Sequence, residues 1–137
     1  MMSNLIMQEK LVRSAPIDIA VVKAMHLTWK MRVRSALNGV TSWNEVHAEE
    51  PEKSDIGRWI QEVGLWKYQN EPIFEMFLKQ HQLLHEIATN IKRLALTGKT
   101  NEARVLLTEL DRVSEDFLKL IDTYKGILDA YKEQIRN

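Results

Sequence analysis

The sequence predicts an all-α fold: an antiparallel four-helix bundle with long helices, one short helix and an extra N-terminal helix. Three observations carry this expectation. Only five glycines and three prolines interrupt 137 residues, and they fall between long stretches. Within those stretches apolar residues recur at spacings of three and four, the period of one helix face. Ser54, Asn70 and Thr100 stand at three predicted starts and Gly39, Gly64 and Gly98 at three predicted ends, as suits helix caps. The length suits one domain over residues 1–137, with residues up to about 15 as an N-terminal helical extension.

The first short helix is predicted from Asn4 to Val12, on Leu5, Ile6, Leu11 and Val12, and ends before Pro16, because proline turns its predecessor away from helical geometry. Pro16 suits the first turn of a second helix, which runs to Asn38 with Gly39 as its terminator. Ile19, Val22, His26, Trp29, Val33 and Leu37 form its apolar face, so His26 lies inside an apolar stripe. Val40 to Lys53 reads as a connecting loop carrying a solvated His47. A short helix follows, capped by Ser54 and closed near Gly64.

Asn70 is the predicted cap of a long helix with Pro72 in its first turn and Gly98 at its end. Its inward face holds Phe74, Phe77, Leu78, Leu84, Ala88 and Ile91, broken only by His81 and His85. Thr100 should cap the last helix, whose stripe runs from Ala103 through Leu110, Val113, Phe117 and Ile121 to Leu128, Tyr131 and Ile135. That helix would be on the order of 50 Å long. A lone bundle would leave part of so long a stripe exposed, so a homodimer is expected.

Composition narrows the functions. With 45% hydrophobic and 28% charged residues the chain is an ordinary globular protein, and its apolar runs are too short to cross a bilayer. Met1 to Asn4 lacks the features of a secretory signal, so a cytoplasmic chain without a membrane partner is expected. Nineteen basic residues balance nineteen acidic ones, which offers no field for nucleic acid. The cluster Lys30, Arg32 and Arg34 reads as a solvated helix face. The absence of cysteine removes disulfides, iron–sulfur clusters and thiolate chemistry together. A soft-metal site must then use histidine and oxygen.

His81 and His85 stand four residues apart on one helix face, with Cβ atoms about 5–6 Å from one another, which suits chelation of one ion. His26 occupies a core position of its own stripe, and a shared metal would satisfy three costly buried polar groups at once. The plainer alternative is a set of core histidines satisfied by ordinary hydrogen bonds. Catalytic patterns fit poorly. Zinc peptidases need glutamate directly after the first histidine, where this chain has Gln82. Di-iron bundles need glutamate three residues before histidine, and Lys23, Asn44, Leu78 and Gln82 stand there instead. No glycine-rich phosphate loop is present.

His26-x-x-Trp29, then Ser54-x-Ile56-Gly57-x-Trp59, then His81-x-x-x-His85, in this order and spacing, resemble the chemoreceptor zinc-binding (CZB) domain. The resemblance covers roughly Ile17 to Leu96, and the last helix by architecture only. It implies a helical bundle of bacterial signal transduction in which His26, His81 and His85 hold zinc and the metal state controls signalling. The family's fourth ligand is a cysteine, and Ser54 stands in its place. Serine seldom ionises, so the fourth position would fall to water, to Asp55, or to His47.

Three functions follow as expectations. The first is a regulatory module that binds one zinc ion, or another imidazole-binding divalent metal, and passes its state to a separate signalling protein. The second is a metal-free helical interaction or dimerisation module. The third, a three-histidine zinc hydrolase, lacks an obvious general base and long loops to build a substrate pocket.

Overall fold

The computed structural model describes the backbone of residues 2–136 and the side chains of residues 19–126, 130, 133 and 134. Helix α1 spans Met2–Leu37, α2 Asp55–Trp59, α3 Leu65–Tyr68, α4 Pro72–Leu96 and α5 Thr100–Arg136. A π-helical turn over Ile60–Gly64 joins α2 to α3 without a break. Among the described residues there is no strand. Taking the joined stretch as one, the chain is the all-α, four-helix arrangement that the sequence predicts.

Helix α5 runs antiparallel to both other long helices, α1 and α4. Lys23 pairs with Asp122, whereas Lys30 and Arg34 further along α1 both pair with Asp111 further back along α5. Only Thr97–Lys99 separates α4 from α5, so these two also run antiparallel. Gly39 and Gly98 end α1 and α4 as expected, with φ of 77° and 81°. In both places the residue after the glycine donates back five residues, Val40 to Ser35 and Lys99 to Leu94, which satisfies carbonyls that the helix end would orphan.

Several expectations need correction. The two predicted N-terminal helices are one, since α1 passes through Pro16 without interruption. A proline inside a helix loses one N–H bond and crowds the carbonyl four residues back, at about 3 kcal/mol, but extending an existing helix demands less than nucleating a new one. The cap of α4 is Glu71 rather than Asn70, and α5 already includes Thr100 as its first residue. Gly64 does not close the short helix, because the chain stays helical to Tyr68. A Cβ there would lie 2.8 Å from the Trp59 ring and 3.0 Å from Phe74, so glycine serves close packing. The basic cluster lies on a solvated helix face as expected, and there Lys30 and Arg34 pair with Asp111 and Arg32 with Asp55.

The segment between α1 and α2 is a loop with two 3₁₀ turns, Trp43–Glu45 and Pro51–Lys53, yet it is built into the core. Val46 and Ala48 are buried, and Trp29 Nε1 donates to the Val46 carbonyl at 2.9 Å. The rest of the core follows the predicted stripes of α1, α4 and α5, from Val22 and Val33 through Phe77 and Ile91 to Leu110 and Phe117. The side chains of Leu128, Tyr131 and Ile135, and of Leu5, Ile6, Leu11 and Val12, lie outside the described residues.

Candidate metal centre

All three predicted histidines line one cavity of about 390 Å³, between α1, α4 and the inward-folded loop. His26 comes from α1 and is 1% exposed, and His81 and His85 come from successive turns of α4. The rings of His81 and His85 stand edge to face with centroids 4.7 Å apart. Trp29 packs beside two of the three, its ring 4.8 Å from His85 and 6.1 Å from His26. Trp59 stacks on Tyr68 and meets Phe77.

Each imidazole has a different hydrogen-bonding state. His85 Nδ1 donates to the carbonyls of His47 and Ala48, at 3.1 and 3.2 Å. Carbonyls only accept, so Nδ1 carries the proton and Nε2 keeps its lone pair. His26 Nε2 lies 2.7 Å from Ser114 Oγ, and the hydroxyl can donate to it or accept from it. His81 Nε2 is buried and has no hydrogen-bond partner. Two of the three histidines are thus satisfied by protein groups, and the third is not.

Burial keeps the imidazoles neutral. It lowers His81 to about 3, with His85 and then His26 adding to the shift. It lowers His26 to about 4, with Lys30 and His85 contributing less. His85 is also lowered by burial, opposed by the two carbonyls that its Nδ1–H meets. Neutral imidazole is the form that ligates a metal.

The groups considered for a fourth position are largely committed elsewhere. Ser54 Oγ accepts from the Gly57 N–H at 3.0 Å and donates to the Pro51 carbonyl at 2.7 Å, which makes it the cap of α2. Asp55 lines the cavity but accepts from Arg58 at 2.7 Å and lies 3.5 Å from Arg32. His47 was expected in solvent; it is half-buried and lines the cavity, with a positive φ of 51°. Among the described residues no three of His, Cys, Asp or Glu stand together in an arrangement ready to hold an ion. The histidines share a cavity, and His26 Nε2 is turned to Ser114.

The residues nevertheless fit a metal in kind. An orphaned imidazole nitrogen, a second with its opposite N–H fixed by backbone carbonyls, and a third in the same cavity form a set of neutral nitrogen donors. Anchoring of a ligand's second nitrogen by a carbonyl is the usual support for a metal-binding histidine. The sequence reading missed Ser114. Its signal was present, because Ser114 lies four residues after Leu110 and three before Phe117, a polar residue on an apolar stripe. The carbonyls of His47 and Ala48 carry no such signal, since every residue has one.

Comparison with protein-family models, with curated proteins and with solved structures gives no match.

Proposed function

We propose that this chain is a metal-binding sensory or regulatory module in which His26, His81 and His85 hold one divalent ion, zinc in the first instance. The observation that carries the reading is the unpartnered, buried His81 Nε2 in a cavity shared with two more neutral histidines. A buried nitrogen left without a partner costs about 1–3 kcal/mol, and a ligand is the simplest recompense for it. The spacing shared with the CZB domain supports the same assignment. In this reading the ligands join α1 to α4, so occupancy alters how those helices pack, and a second copy of the chain or a separate signalling protein reads the change. The role is regulatory rather than catalytic.

Metal analysis of the purified protein and its His81→Ala variant tests the proposal, with urea unfolding in the presence and absence of a chelator. One zinc per chain, lost on substitution and accompanied by a chelator-dependent drop in stability, is the expected result. Metal-free protein of unchanged stability would exclude it. One observation favours a metal-free interaction module instead: Ser54 and His26 Nε2 are already satisfied within the protein.

A further inference from the structure

The cavity is far larger than one ion requires. A water molecule takes about 30 Å³ of liquid volume, so about 390 Å³ leaves room beside a metal for a molecule of several heavy atoms. Its wall also carries charge. Arg32, Lys53 and Arg58 line it, against only two carboxylates, Glu45 and Asp55. Asp55 sits between the two arginines, and Lys53 turns to Glu50. Among the described residues, Arg58 uses one N–H on Asp55 and Arg32 makes an ion pair without a hydrogen bond, so both guanidiniums keep donors unspent.

The chain itself supplies little negative charge to a metal held here. It has no cysteine, Ser54 is neutral and fully engaged as a cap, and the histidines are neutral donors. A divalent ion on three imidazoles would retain its whole charge unless Asp55 turned to it, and it would stand in a cavity lined by the partly exposed guanidiniums of Arg32 and Arg58, 40% and 63% exposed. Open positions of that kind take an exogenous ligand.

We propose that the cavity is a binding site for a small carboxylate-type anion, which completes the coordination of the metal and is held by Arg32 and Arg58. This inference rests on the metal reading given above. Guanidinium groups match planar carboxylates with paired N–H donors, which favours this class over spherical halides. The sensed signal would then be the anion and the metal together, since each strengthens the binding of the other.

The cobalt(II)-loaded protein provides the test, because its visible absorption reports changes of ligand directly. Acetate is titrated into the cobalt form of the wild type and of the double variant Arg32→Gln, Arg58→Gln, with circular dichroism to verify that the variant is folded. A saturable spectral change, with affinity for acetate lower by about tenfold in the variant, is expected. A cobalt spectrum indifferent to acetate overturns the anion site and leaves the metal reading intact. Equal acetate affinity in the folded variant likewise overturns the assignment to the arginines. Failure to bind cobalt at all overturns both readings.

Discussion

His81 Nε2 is buried without a partner, and its imidazole is held neutral with its pKa pushed down to about 3. In metal-free protein such a group is a cost, which His81→Leu would relieve by replacing it with an apolar side chain of similar size. The variant is expected to gain about 1–3 kcal/mol of metal-free stability in urea unfolding and to lose metal binding. A loss of stability would mean that the imidazole has a stabilising role in the empty cavity. Ser114 poses the opposite case. Its side chain and that of His26 are both buried, and the bond between them is the one link from α5 to the three histidines among the described hydrogen bonds. Ser114→Ala should cost about 1–2 kcal/mol, read as a lower urea midpoint, because the His26 nitrogen loses its partner. Unchanged stability would show that His26 turns its nitrogen to another group.

The element that closes the site is α2 with the turn before it. Ser54 caps the helix, and Gly57 lies so close to the Pro51–Lys53 turn that any Cβ would overlap the Pro51 carbonyl oxygen. Backbone cannot yield as the end of a side chain does, so Gly57→Ala is expected to destabilise the fold by about 3 kcal/mol or more. A thermal midpoint equal to that of the wild type would argue that this turn does not dock on α2. What was legible followed from local rules: α4 and α5 from their apolar stripes, the ends of α1 and α4 from Gly39 and Gly98, and the three histidines as polar residues where the pattern demanded apolar ones. What was not legible depends on tertiary contact. The loop from Val40 to Lys53 has a mixed composition, and bonds from Trp29 to Val46, from His85 to His47 and Ala48, and from Thr89 to Ala48 hold it inward. Pro16 likewise follows a local rule that the long helix overrides.

On the scale of the whole molecule, the buried histidines make stability depend on pH. In the unfolded chain each imidazole titrates near 6.5, whereas in the fold His26 falls to about 4 and His81 to about 3, chiefly through burial. Between those values and 6.5 the unfolded chain binds protons that the native one refuses. Stability is therefore fully present above about pH 6.5 and is lost as pH falls toward 4 and then 3. The slope approaches about 1.4 kcal/mol per pH unit for each of these histidines once the unfolded form is protonated. Urea unfolding of metal-free protein at about pH 7.5 and about pH 5 should show a lower midpoint at the acid end, beyond any shared change in carboxylate pairs. His81→Leu separates the contributions, because it removes one proton-binding site from the unfolded chain and should flatten the slope by one histidine's share. If the slope of the variant equals that of the wild type, acid sensitivity arises outside the cavity. Zinc deepens the same dependence, since it requires the unprotonated imidazoles, so zinc-loaded protein should be stabilised most above about pH 6.5 and converge on the metal-free curve in acid.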